Sequence, residues 1–311
     1  MGGEFIPDGA QANVLMLQNE DPKGGMSAWY LQPIGEPWTL DSADSVELVE
    51  LGPVRGVIRI VHKYEKSTFT RELIVYKDLP KLDVSMTADW HEHDLWVRAI
   101  FPTTLEGGVA TFNVPYGAKV RPADGDEVPA LQWIDLSTDK MGMSLLNDCK
   151  YGHSIDGSTL RISLLRNSHE PDPNPDEGWH EMTYSLYPHE NDWKSAGAMR
   201  RGAELNMPLI GYVKNDRSGK LPPELSFVKV EPANLLVTAL KQAEDSYDYI
   251  LRFVEFEGKA VEAKITLPVP IKSAVEVNLL EHEVKGAVRI EGKTIRLIVK
   301  PYKIKTLRIQ L

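Results

Sequence analysis

Only one cysteine, Cys149, occurs in this 311-residue sequence, so no intramolecular disulfide staples it. No apolar run approaches the ~18 residues that a membrane helix needs, and no basic segment, apolar core and cleavage site follow one another at the N-terminus. Gly2-Gly3 precede any periodic element, and Met1–Phe5 reads as a leader that specifies no structure. Basic residues are the minority: 35 Lys+Arg against 45 Asp+Glu give a formal net charge of -10. Nucleic acid and anionic membranes would be repelled overall, and no local basic patch stands out. The expectation is a reduced, cytoplasmic protein with neither partner. A P-loop, GxGxxG after a strand, HExxH and GxSxG are all missing, as is any repeat of about 20–50 residues.

What is present is a long succession of strand-like runs rich in Val, Ile, Thr, Tyr and Trp, separated by Gly, Pro and Asp. The spacing predicts strands over Val14–Leu17, Val46–Leu51, Val54–Tyr64, Ser67–Tyr76, Leu82–Trp90, Leu95–Phe101, Val109–Val114, Leu131–Leu136, Met143–Leu146, Leu160–Leu165 and Glu181–Tyr187. In Ser67–Tyr76 the residues Phe69, Arg71, Leu73 and Val75 alternate with Thr68, Thr70, Glu72 and Ile74, the pattern of a sheet with one buried face. One helix is expected, Trp193–Met207, N-capped by Asp192. Asn206–Pro232, broken by Pro and Gly, reads as a linker or wrapping segment. Beyond it, short strands from Leu235 to Leu311 have the spacing of a small β-sandwich. The fold class is therefore all-β: a large sandwich over residues 1–224 and a small one over 225–311. Face-to-face sheets should bury one side of every strand.

Asp, Asn, His, Arg and Tyr are densest between Leu145 and His189. Asn147, Asp148 and Tyr151 precede an Asp156-Gly157 turn, where they either cap the turn or touch a ligand. Arg166 ends a strand beside the loop Pro171–Gly178, and its guanidinium can grip that loop's carboxylates or sugar hydroxyls. Asp172, Asp176 and Glu177 lie on this proline-stiffened loop; paired carboxylates serve glycoside hydrolysis, but a solvated, preorganised loop is the plainer account of them. His91 and His93 form an HxH pair able to face one side of a strand and bind zinc, but no third ligand is evident, and a polar strand end or tight turn is the plainer account. His153, His169, His180 and His189 are too irregularly spaced for a local metal motif. Cys149 is expected to be a partly buried, unreactive thiol. Of seven tryptophans most should be core, with one or two at a surface site, Trp179 first among them because it adjoins the acidic loop.

Several pieces, in one order along nearly the whole chain, carry a family likeness: Ala28-Trp29, Glu50–Arg55, Asp89–Glu92, Val114–Gly117 with Arg121-Pro122, Leu145–Asp148 with Lys150–Gly152, Leu164–Arg166, and Pro171–Gly178 through His180 to Pro188-His189. Asn278–Glu281 and Thr306–Arg308 complete it. Together they resemble the C-terminal β region of the family-38 α-mannosidases. The resemblance implies a large galactose-mutarotase-like β supersandwich followed by a small sandwich. It also implies hydrolysis of α-linked mannose with retention, by an aspartate nucleophile and a zinc ion held in an N-terminal barrel and helical domain that this sequence does not contain. By position His91 and His93 do not correspond to the zinc ligands. The β region is expected to pack on that barrel and to form part of the sugar cleft, with Arg166 the arginine candidate and Tyr151 the tyrosine candidate. At Ser27 the sequence departs from the family, where an aspartate often precedes Ala-Trp.

The expectation is thus a substrate-shaping β region that binds an α-mannoside or oligosaccharide through Arg166, Tyr151, Asp148, Asp172, Asp176 and Trp179. No catalytic residue, metal or cofactor is expected in this chain, and zinc is assigned to the absent domains. A freestanding carbohydrate-binding module is the rival, and a mutarotase-like enzyme with His180 as acid ranks last.

Overall fold

Period-two alternation of apolar and polar residues, punctuated by turn formers, gives a chain that is 52% strand and 4% helix. The computed structural model describes residues 4–213, 219–220 and 222–311; Met1–Gly3 of the expected leader, and 214–218 and 221 of the expected linker, lie outside the described residues. There are two compact units, Met1–Val114 with Lys119–Pro208, and Pro115–Ala118 with Leu209–Leu311. The last helix of the first ends at Asn206 and the first strand of the second begins at Lys229, on either side of Leu225.

The first unit is a sandwich of a six-stranded and a nine-stranded antiparallel sheet. The six-stranded sheet runs, in spatial order, Val128–Pro129, Gly152–Asp156, Thr159–Arg166, Leu95–Pro102, Val14–Glu20 and Pro33–Thr39. The nine-stranded sheet runs Ser45–Leu51, Arg55–Tyr64, Ser67–Tyr76, Leu79–Trp90, Gly178–Glu190, Met141–Asn147, Trp133–Ser137, Val109–Val114 and Gly117–Val120. Their facing sides interdigitate in one core: Leu15, Leu17, Val97, Ala99, Phe101, Leu160 and Ile162 from one sheet meet Phe69, Val84, Met86, Trp90, Phe112, Ile134, Leu145 and Tyr184 from the other. Phe5 also packs on this core, and the Thr104 amide and hydroxyl donate to the carbonyls of Phe5 and Glu4, so that end of the expected leader is structured.

Nine strands overhang six, and the expectation that every strand buries one side fails at the overhang. Along Ser67–Tyr76 the inward series fades from Phe69 at 0% exposed to Val75 at 53%, and Val46 and Leu48 on the edge strand are 66% and 59% exposed. The missed strand Pro33–Thr39 contains two prolines and a glycine and is exposed along most of its length. It sits at a sheet edge, where a missing ladder donor is tolerated. The expected single helix is divided at Gly197 (φ 70°), which ends Trp193–Ala196 in the left-handed region and precedes Ala198–Asn206. Asp192 caps the first piece as expected, accepting from the Ser195 amide at 2.9 Å.

The second unit pairs two four-stranded sheets, Lys229–Glu231, Val261–Thr266, Thr294–Val299, Arg289–Glu291 and Leu235–Gln242, Tyr249–Glu255, Ile304–Gln310, Ser273–Val277. Its core is Leu251, Phe253, Ala263, Ile265, Ile295, Val299, Leu307 and Ile309.

Candidate functional site

Strand ends bring the loops around 21–32, 91–94 and 166–178 together at one end of the large sandwich, through the register Arg166↔Trp96, Asn19↔Leu95 and Gly178↔Trp90. Arg166 does not reach the acidic loop's carboxylates. It makes a two-pronged pair with Glu20, Nε to Oε2 at 2.6 Å and Nη2 to Oε1 at 2.7 Å, and Nη2 also donates to the carbonyls of Ser27 and Tyr30. Glu20 is 5% exposed, so the pair is a desolvated clamp holding the loop from Asp21 to Gln32. Among the described residues Nη1 has no partner. The Ser27 hydroxyl accepts from the amides of His169 and Glu170 at 3.1 and 2.9 Å.

Arg166 and Asp176 line one depression of about 210 Å³, with Lys150, Ser163 and His180. The Asp176 carbonyl accepts from His180 Nε2 at 2.6 Å. Asp148 and Tyr151 line a second depression of about 180 Å³, with Gln132, Asn147, Cys149 and Asn206. The segment Asp148–Tyr151 thus stands between the two, with Lys150 on one side and Asp148, Cys149 and Tyr151 on the other.

A buried framework fixes that segment. Asn147, 1% exposed, donates through Nδ2 to the Leu131 carbonyl (3.0 Å) and to His153 Nε2 (3.2 Å) and accepts from the Lys150 amide (2.7 Å), which is the turn-capping role. His153, wholly buried, completes the chain through Nδ1 to the Tyr151 carbonyl (3.1 Å), and burial pushes its pKa down to about 4, so the ring is neutral. Both Asp148 oxygens accept from the Thr183 amide at 3.0 Å. Asn206 donates to the Asn147 carbonyl at 2.9 Å, bolting the helix end to the turn. Tyr151 itself is 60% exposed. Cys149, expected to be partly buried, is exposed, but its thiol is pushed up to about 11 by the surrounding protein and by the Asp148 carboxylate, and it stays protonated.

The acidic-loop carboxylates diverge. Asp172 accepts from the Asn174 amide within its own loop at 3.0 Å, while Glu177 meets His91 Nδ1 at 3.2 Å. The strand ends at Trp90, so His91 lies in a turn, with Nε2 on Asp89 at 2.8 Å. Both ring nitrogens are engaged by carboxylates, which raise its pKa. His169, between Asp94 and the Gly24 carbonyl, is raised likewise, with the Asp94 hydrogen bond the main cause. Among the described residues no three His, Cys, Asp or Glu side chains converge to hold a metal, so the residues present do not fit zinc. Trp29 and Trp179, at 63% and 64%, are the exposed tryptophans, and Trp179 Nε1 donates to Glu181 at 3.0 Å. Glu20, Asn206 and Thr183 were not singled out from the sequence, because each acts through a partner tens of residues away.

Among the described residues no helix is long and apolar enough to cross a membrane. Comparison with known proteins adds the following. Residues 6–174 match the glycosyl hydrolases family 38 C-terminal domain, and residues 234–307 match the glycosyl hydrolases family 38 C-terminal beta sandwich domain. Alpha-mannosidase 2C1 of Homo sapiens is 30% identical over 327 residues, covering 100% of this chain and 31% of that protein. Alpha-mannosidase G of Dictyostelium discoideum is 30% identical over 279 residues, covering 84% of this chain and 26% of that protein. This chain therefore spans about a third or less of these relatives. The crystal structure of an alpha-mannosidase from Enterococcus faecalis V583 shares the fold, with a TM-score of 0.80 at 14% identity over 96% of this chain and 38% of that one. Since the first family model spans more than half of the chain and the second falls on the small sandwich, the chain belongs to glycosyl hydrolase family 38, as its C-terminal β region.

Proposed function

We propose that this chain forms one wall of the sugar-binding cleft of a retaining, cytoplasmic α-mannosidase and packs on a catalytic barrel and helical domain carried elsewhere in that enzyme. The supporting observation is the pair of depressions flanking Asp148–Tyr151, held rigid by the buried Asn147–His153 framework in a chain of this family. Tyr151 is the group free to meet an α-mannoside, as its exposed ring offers an apolar face and a hydroxyl. Arg166, clamped on Glu20, contributes through its remaining Nη1 donor and by holding the cleft wall in place; Asp148 positions Tyr151's segment, and Asp176 offers acceptors across from Arg166. Trp179 and Asp172 extend the same wall along the loop. On this reading the nucleophile, the acid/base and zinc belong to the barrel, and the wall's residues bind and orient the sugar.

The test is an assay on a chromogenic α-mannoside with the chain alone and with zinc added, beside calorimetric titration with methyl α-mannoside. The expected result is no turnover, with weak binding lost in Tyr151→Ala. Zinc-dependent turnover by this chain alone would overturn the proposal, as would binding that is indifferent to Tyr151→Ala.

A further inference from the structure

The opposite, outer face of the nine-stranded sheet carries a groove of about 620 Å³ that the cleft wall does not use, a volume within the ~300–1,000 Å³ of small-molecule sites. It opens where two turns, Leu105–Gly108 and Thr138–Met141, meet the start of the helix at Trp193. Gly107 (φ 68°) bends the first turn. The Thr138 hydroxyl closes the second by donating to the Met141 carbonyl at 2.9 Å, which leaves Asp139 at its tip.

The floor comes from two rows of the sheet. Thr111 lies opposite Asp135, itself opposite Ser144; Val109 lies opposite Ser137. Asp135, 0% exposed, accepts from the hydroxyls of Ser137 and Ser144 and sits 2.8 Å from His189 Nε2. The Ser137 proton is therefore spent inward. Thr111 is different: it is 3% exposed, lines the groove, and its hydroxyl has no hydrogen-bond partner among the described residues. From an otherwise buried residue this hydroxyl opens on the groove, where it is free to engage a polar group of a ligand in place of water. At the rim the Glu106 and Asp139 carboxylates also have no side-chain partner among the described residues, whereas Asp192 is occupied as the helix cap.

We propose that this groove binds a saccharide. The Thr111 hydroxyl would engage one sugar hydroxyl, the Glu106 and Asp139 carboxylates would accept from others, and Val109 and Val120, 53% and 63% exposed, would cover a ring's CH face. A cation fits less well, because no three acidic or imidazole ligands converge among the described residues, and the floor presents a hydroxyl and aliphatic surface. Nothing in this inference depends on the role of Tyr151 or Arg166.

The experiment is an NMR titration of the isotope-labelled chain with methyl α-mannoside, followed at the amides of Thr111, Thr138 and Asp139, with spermidine as the cationic probe. Saturable shifts with the mannoside are expected, weakened about tenfold by Thr111→Val and by Asp139→Asn. The tryptophan-monitored unfolding midpoint should stay unchanged, and Tyr151→Ala should leave these shifts intact. The proposal is overturned by absence of saturable shifts at these amides, by shifts indifferent to both groove substitutions, or by a response to spermidine alone. Failure at the groove with binding still lost in Tyr151→Ala would leave the cleft-wall proposal standing.

Discussion

Arg166→Ala leaves the Glu20 carboxylate, 6% exposed at its side chain, buried without its counter-charge. Removing one partner of a buried pair costs about 3–5 kcal/mol, and the 22% exposure of the Arg166 side chain places this pair at the lower end, about 3 kcal/mol. The perturbation also frees the carbonyls of Ser27 and Tyr30 and loosens the loop they belong to. For a unit of about 200 residues this shifts the melting midpoint by roughly 6–12 °C. All seven tryptophans lie between Trp29 and Trp193, so fluorescence during guanidinium unfolding reports on the large sandwich alone. Glu20→Ala should cost a similar amount, and the double substitution markedly less than the sum, because the interaction is lost only once. An Arg166→Ala midpoint within about 0.5 kcal/mol of the parent, or strict additivity of the pair, would refute the clamp and return Arg166 to a free ligand-binding role.

His153 gives a pH signature. Its folded pKa of about 4 lies below the ordinary imidazole value of 6.5, so the unfolded chain takes the proton first; the stability it supports is full above pH 6.5 and falls away as pH drops toward 4, by about 3 kcal/mol in all. Denaturant midpoints from pH 7 to 4.5 should therefore fall more steeply in the parent than in His153→Gln, and parallel slopes would contradict the buried neutral ring. Gly142→Ala would place a Cβ 2.4 Å from His189 Cε1 and 2.4 Å from Ser137 Oγ, both in nearly inaccessible side chains. Overpacking there should cost about 1–3 kcal/mol in unfolding free energy, and a loss under about 0.5 kcal/mol would show that His189 can move aside.

Local pattern was enough wherever a residue's environment follows from its neighbours in sequence. The strand Ser67–Tyr76 is found where alternation puts it, and Asp192 caps the helix it precedes. Pattern was insufficient where the deciding partner is remote or the signal is weak. Gly152–Asp156 holds too few apolar residues to alternate, yet pairs with both Val128–Pro129 and Thr159–Arg166. Trp193–Met207 reads as one helix until Gly197 adopts the left-handed conformation.

By itself the sequence determined the all-β class, through period-two hydrophobicity and regularly spaced turn formers, and, through ordered family motifs, the C-terminal α-mannosidase region. Tertiary structure alone decided what the site residues do. Arg166 meets a glutamate 146 positions away, His153 loses its charge because the sandwich closes over it, and Thr111 opens on a groove while its cross-strand neighbour Asp135 accepts from Ser137 and Ser144. Each outcome depends on desolvation and on pairing across strands, quantities that belong to the packed sheets and not to any stretch of chain.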